Sequence, residues 1–343
     1  MNRLLMTSAL ALLAGMAGAD EIRVLNWQGY GTDLDWSLKA FTEATGHTVV
    51  HEYFTSEQEM LTKLRTNPGA YDVVMINSAY LPQAQGEGLI DAIDAAKVPN
   101  LPDLDPALTG NAELNPAGAL HGVPWTWGVT ALAVNGTEVS PVPTSINALW
   151  DPAFKGKVSI RDDGLEAVQL GALATGQNIN EIKDLEVIKA KLVELLPQIT
   201  TFWSSENDWN QFMAAGEFTV ATYWSGSASR SIAAGLPVAF VIPEEGAIGW
   251  LDSLTVPTTS THKDAAYAFI DWMVDPDFYV KWEAEGAPAT SNTKAAAALP
   301  ETSFNRTVLG DPAVVARVQF MKPVSDADRE TYLKLWQDLK AQQ

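Results

Sequence analysis

The sequence predicts an α/β protein of two lobes, each a mostly parallel sheet flanked by helices, with a ligand cleft between the lobes. Three observations carry this expectation. Strand-like and helix-like segments alternate as strand, helix, strand, helix, strand between residues 21 and 76, the pattern of a parallel sheet with crossover helices. A long apolar run at 123–135 can leave one lobe and enter another, and a second at 250–257 can return. With 343 residues the chain exceeds one ordinary core.

The elements follow in order. Glu21–Trp27 reads as a strand entering the loop Gln28-Gly29-Tyr30-Gly31. Leu34, Leu38, Phe41 and Thr45 share one helical face, and Gly46 ends that helix. His47–Tyr53 is β-branched and strand-like. Glu57–Arg65 is helical with Met60, Leu61 and Leu64 inward, and Tyr71–Ile76 is a buried strand stopping at Asn77-Ser78. Ligands of such sheets sit beyond the carboxyl ends of strands, where Trp27, Tyr30, Ser78 and Tyr80 lie. Residues 99–124 read as loops, and Val123–Asn135 as a crossing strand. The second lobe is expected to hold strands at Val158–Ile160, Phe218–Tyr223 and Val238–Ile242, with helices at Gly164–Thr175 and Asp184–Leu196. Trp250–Pro257 recrosses, Lys263–Val274 is a helix of the first lobe, and Ser325 caps a final helix to Ala341. The expected division is 1–19 as a leader, 20–126 plus 251–294 as the first lobe, and 127–250 plus 295–343 as the second.

The leader is read from Arg3, the apolar stretch Leu4–Leu13 and the small residues Ala17-Gly18-Ala19, the features of a bacterial secretory signal peptide. The apolar run is too short to span a bilayer. A soluble protein exported to a periplasm is expected.

Lys and Arg number 22 against 42 Asp and Glu, a formal net charge of -20. This excludes a sequence-blind nucleic-acid binder, which needs a basic footprint. Cysteine is absent, so disulfides, thiolate nucleophiles, iron–sulfur clusters and Cys-ligated zinc are excluded. His47 and His51 are four apart but lack a third ligand in motif context, and no metal or cofactor is expected. No G-x-S-x-G elbow occurs, and Gly226-Ser227-Ala228-Ser229 lacks its spacing, so an exported hydrolase is disfavoured. The 12 Trp residues point to an aromatic-rich cleft.

Six segments resemble one family: NWQGY at 26–30, GAYDVVMINSAY at 69–80, VPWTWGVTALAVN at 123–135, LWDPAFKGKVSIRDDGLEAVQ at 149–169, YWSGSA at 223–228 and EEGAIGWLDSL at 244–254. In register they are similar to the bacterial periplasmic solute-binding proteins of ABC importers, specifically the spermidine/putrescine binders. The resemblance implies a type II-like periplasmic-binding-protein fold, a monomer, and delivery of a small cationic amine to a membrane permease. It implies that Trp27 and Tyr30 form the aromatic pair after the first strand, and Ser78 and Tyr80 the polar pair after the third. Asp163 and Glu166 would take an ammonium end, with Trp224, Trp250 and Asp252 as the facing wall and its carboxylate. Relatives with adjacent tyrosines bind ferric iron; no Tyr-Tyr pair occurs in this sequence.

The chemistry agrees. A polyamine is a flexible apolar chain with protonated nitrogens, so it needs carboxylates for the nitrogens and flat apolar walls for the methylenes. Trp faces add about 0.5–2 kcal/mol per cation contact. Three positions depart from the family pattern: Gly29 replaces a Glu, Ala287 a Tyr, and Lys322 a Gln, with Gln319 as the stand-in if the alignment slips. Lys322 is accordingly a candidate partner for the carboxylate of a zwitterionic amine, and a sugar- or thiamine-type ligand stays open on the same scaffold. Asp163-Gly164-Leu165-Glu166 also reads as a capping box. Trp36, Trp150, Trp203, Trp272, Trp282 and Trp336 read as packing, as does one of Trp125 and Trp127.

Overall fold

The computed structural model describes residues 19–342. The expected leader lies outside the described residues apart from Ala19. The first lobe begins with β1 (Glu21–Asn26), α1 (Asp35–Thr45), β2 (Thr48–Tyr53), α2 (Glu57–Thr66) and β3 (Val73–Asn77). Two short helices, α3 (Leu81–Gly86) and α4 (Pro106–Thr109), precede the crossing strand β4 (Val123–Asn135). The second lobe holds β5 (Val158–Arg161), α5 (Gly164–Ala174), α6 (Leu185–Leu195), β6 (Ile199–Trp203), α7 (Glu206–Ala214), β7 (Val220–Trp224), α8 (Ser225–Ala233) and β8 (Val238–Val241). The chain recrosses on β9 (Ala247–Thr255), then forms α9 (Lys263–Met273), α10 (Pro276–Glu283), β10 (Ala289–Thr290) and α11 (Thr293–Ala298). It finishes with α12 (Phe304–Val308), α13 (Pro312–Val315), β11 (Val318–Phe320) and α14 (Asp326–Lys340).

Local chemistry sets the ends of these elements. Gly46 stops α1 at φ 82°, a left-handed conformation that costs glycine nothing, and its N–H satisfies the carbonyl of Thr42. Ser56 caps α2 by accepting the Glu59 N–H at 3.2 Å. Ser325 caps α14 through the Asp328 N–H at 3.1 Å, as the sequence pattern implies.

The strands form one continuous sheet in the order β2-β1-β3-β9-β4-β7-β5-β6, with β8 and β10 also on β4 and β11 on β9. β2, β1 and β3 are parallel in the first lobe, and β6, β5 and β7 in the second. The antiparallel pair β4 and β9 joins the two halves, paired from Val123 opposite Leu254 to Thr130 opposite Ile248. One apolar core gathers Ile22, Phe41, Met75, Trp125, Leu251 and Phe269, and α11 packs into it through Ala295, followed by Leu299 just past the helix end. Another gathers Leu132, Leu149, Ile160, Val168, Ile248 and Trp336. Each crossing strand therefore passes from one core to the other within a few residues.

Gly128 sits where β4 passes Trp250 of β9. A Cβ at this position would collide with the Trp250 ring and the Ser225 hydroxyl. Gly128→Ala is therefore expected to destabilise the fold by about 1–3 kcal/mol, the usual cost of overpacking. Urea unfolding checks the cost, and near-UV circular dichroism should report the displaced indole.

Candidate ligand-binding cleft

β1, β2 and β3 are parallel, so the segments after them gather on one edge of the first lobe. Asp252 reaches that edge from β9, in register with Asn77 of β3 and Thr126 of β4. Its carboxylate accepts from Asn77 Nδ2 at 2.8 Å and from the Tyr30 hydroxyl at 2.8 Å. The Tyr30 hydroxyl also lies 3.1 Å from Thr126 Oγ1. Asp252 is 7% exposed. Burial pushes its carboxyl up to about 6 against the pull of those two hydrogen bonds. Burial and the neighbouring Asp252 charge together raise the Tyr30 phenol well above its ordinary value. The Ser78 N–H bonds the Leu251 carbonyl at 2.8 Å, which sets Ser78 beside Asp252. Among the described residues Ser78 Oγ and Trp250 Nε1 are buried without a hydrogen-bond partner.

The second wall comes from β5, α5 and β7. Asp163 Oδ1 accepts the Glu166 N–H at 2.9 Å, so the forward half of the capping box is present. The reciprocal half is replaced: the Glu166 carboxylate takes Arg161 Nη1 at 3.2 Å, and the same nitrogen stands 3.8 Å from Asp163. The Arg161 guanidinium also lies 5.0 Å from the centre of the Trp224 ring. Burial pushes the Glu166 carboxyl up to about 7 despite Arg161. Burial works against the charge on Arg161, and Glu166 and Asp163 overcome it.

Two contacts link the walls. Arg329 of α14 donates to the Tyr80 hydroxyl at 2.6 Å with its guanidinium 4.8 Å from the ring centre. Arg230 of α8 donates to the Gly286 carbonyl at 3.0 Å while its other nitrogens hold Glu206.

Of the sequence-predicted residues, Tyr30, Ser78, Trp250 and Asp252 come together at the crossing strands, and Asp163, Glu166 and Trp224 on the opposite wall. Tyr80 lies between them. Trp27 packs edge-on against Phe54, ring centres 4.6 Å apart, at the margin of the first core. Lys322 does not join the cluster: it is exposed, and among the described residues its ammonium has no hydrogen bond or ion pair. Gln319 is committed to the Ile179 N–H at 2.9 Å in the β11 region. Ala287 is buried, its carbonyl held by Asn305 at 2.9 Å. The sequence reading missed Asn77, Thr126 and Arg161. Arg161 was visible as a lone base ahead of Asp162 and Asp163 at a strand end.

Asp252 gives a pH signature. Its carboxyl titrates near 3.8 when unfolded and about 6 when folded, so the native state binds the extra proton between those values. Its contribution is full below about pH 4 and lost as pH rises through 6. Asp252→Asn lacks that loss. The stability of the variant relative to the parent should climb by roughly 3 kcal/mol from pH 4 to 7 and then level off. Urea unfolding across that range checks it, and a difference independent of pH would count against the buried carboxyl.

Residues 36–307 match the family model described as bacterial extracellular solute-binding protein. The chain is 33% identical over 99% of its length to the spermidine/putrescine-binding periplasmic protein of Escherichia coli K12, of which 98% is covered. It is 30% identical to spermidine/putrescine-binding periplasmic protein 1 of Haemophilus influenzae, over 96% of this chain and 91% of that one. Among solved structures, a spermidine/putrescine ABC transporter substrate-binding protein from Streptococcus pneumoniae superposes with a TM-score of 0.83 at 25% identity, covering 94% of this chain and 99% of that one. A full-length match in sequence, a two-lobe fold with shared crossing strands and a cleft lined by carboxylates and indoles together place this chain in the bacterial extracellular solute-binding protein family.

Proposed function

We propose that this chain is the periplasmic solute-binding component of an ABC importer, acting as a monomer without chemistry of its own, and that its solute is a polyamine, a short diamine of the putrescine class before spermidine. The observation that carries this is Asp252, a buried carboxylate with two neutral hydrogen-bond donors, flanked by Trp250 and Ser78, whose side-chain polar atoms have no hydrogen-bond partner among the described residues. An uncompensated buried carboxylate costs several kcal/mol, more than a cation–indole contact of about 0.5–2 kcal/mol returns. Charge pairing therefore decides the ligand class, and the indoles supply walls for the methylenes. A neutral sugar would leave the Asp252 charge uncompensated. Arg161 offsets one of the two charges on the opposite wall, so that wall favours a single ammonium rather than an extended run of cations. The names of the relatives support the amine class, and a periplasmic site fits the expected leader. No helix among the described residues is long and apolar enough to cross a membrane.

A zwitterionic amine is the second reading, and Arg161 is the observation in its favour. Among the described residues the side-chain hydrogen bond of Arg161 runs through Nη1 to Glu166, which leaves other guanidinium donors for a ligand carboxylate. This moves the role considered for Lys322 to a residue inside the cleft.

Calorimetric titration of the refolded mature protein with putrescine, spermidine and 4-aminobutyrate tests these readings. Micromolar or tighter binding of putrescine is expected, weakened more than about tenfold by Trp250→Ala through loss of the desolvated cation–indole wall. Affinity should rise between pH 5 and 7.5, because a cation selects the ionised form of Asp252. Heat from 4-aminobutyrate alone would keep the transport role and transfer specificity to Arg161. Silence from all three would end the amine reading.

A further inference from the structure

We infer that Glu57, on the first turn of α2, is a ligand-binding carboxylate that shares with Asp252 the recognition of one ammonium end of the solute. The inference rests on the amine reading above.

Glu57 stands where a bland explanation is at hand, since acids at helix N-termini commonly cap or complement the helix dipole. Here that work is done by its neighbours. Ser56 accepts the Glu59 N–H, and Glu59 Oε2 accepts the Thr55 N–H at 2.8 Å and the Thr55 hydroxyl at 2.7 Å. Glu57 takes no part in that reciprocal box. A dipole-complementing acid also keeps its carboxylate in water, whereas Glu57 Oε2 is buried and has no hydrogen-bond partner among the described residues.

Its surroundings are those of the cleft. α2 follows β2, so its first turn lies on the same strand-end edge as Tyr30 and Ser78. The adjoining Gln58 reaches the Tyr80 hydroxyl, at 3.4 Å. Burial, and after it the charge of Asp252, raises the Glu57 carboxyl well above its ordinary range, and Glu57 in turn acts on the Tyr80 phenol. Among the described residues no Lys, Arg or His pairs with Glu57, although Arg329 holds Tyr80 nearby. Two carboxyls that repel each other, one with an unpartnered buried oxygen, form a pole that a primary ammonium satisfies: it brings one positive charge and three N–H donors. Asp252 already has a donor on each oxygen, whereas Glu57 Oε2 has none.

The test is calorimetric titration of putrescine into the mature parent and the Glu57→Gln variant at pH 7.5, with thermal unfolding of both ligand-free proteins. Glu57→Gln keeps the shape and removes the charge. The inference expects putrescine affinity to fall by about tenfold or more, the loss typical of a hydrogen bond to a charged group, while the ligand-free melting temperature is unchanged or higher. Binding by the parent matched within twofold by the variant would overturn the inference and leave the amine reading intact. Silence from the parent would overturn the amine reading and this inference with it. If Glu57→Gln fails to fold, Glu57→Asp retains the charge and draws it back by one methylene; an affinity equal to the parent's would again overturn the inference.

Discussion

The cleft depends on one arrangement: a carboxylate buried on a strand that both lobes share. Asp252 can be held in register with Asn77 and Thr126 because β9 lies between β3 and β4 in one continuous sheet. Backbone pairing fixes its position, and neutral donors from Asn77 and Tyr30 hold its orientation. Ordinary cores avoid such a group, since an unpaired buried charge is costly unless it is neutralised or paired. This fold supports it with polar side chains and leaves the charge to be met by something cationic.

The two walls differ in electrostatic design. On the first lobe Asp252 faces neutral donors, so its charge is uncompensated when ionised. On the second, Asp163 and Glu166 already share Arg161, which also lies over Trp224. A dication meets a strong acceptor at one end and a partly satisfied one at the other. The net charge of -20 does not create this preference. Exposed charges are screened over about 8 Å at physiological ionic strength. They raise the local concentration of cations without selecting among them, and selection falls to groups within a few ångströms of the ligand.

Much of this was legible in the sequence, and the failures have identifiable causes. The alternation from 21 to 76, both crossing strands and the helices at α5, α6, α9 and α14 were visible because each carries a clear period or an apolar run bounded by a cap or glycine. β6 (ITTFW) was missed because only the short turn Leu196-Pro197-Gln198 separates it from α6, and α8 (SGSASRSIA) because its Gly and Ser content resembles a loop. Its helical character comes from burial of Gly226, Ala228 and Ser231 against the sheet, which a propensity reading does not see. Tyr30, Asp252 and the wall of Asp163 and Glu166 followed from strand ends and charge logic. Lys322 did not fit that logic: β11 lies alongside β9 only as far as Phe320, and two residues later the chain is at the surface. Arg161 escaped because an isolated base beside acids reads as a solvated pair until burial is known.

Closure of the cleft follows from where the walls already touch. Tyr80–Arg329 and Arg230–Gly286 join the lobes through protein atoms alone, and each hydrogen bond from a charged donor contributes about 1.5–3 kcal/mol. Both arginines keep part of their surface in water, so these links are not sealed in a core. A ligand shifts the balance of open and closed forms only by its differential affinity for the closed form. An ammonium held by the Asp252 wall gains little from closure by itself, since that wall belongs entirely to the first lobe and the crossing strands. Any differential must come from the far end of the ligand, which the wall of Asp163, Glu166 and Trp224 faces. The first pole is therefore the stronger acceptor, and a ligand that reaches only one of the two gains only part of the available contacts.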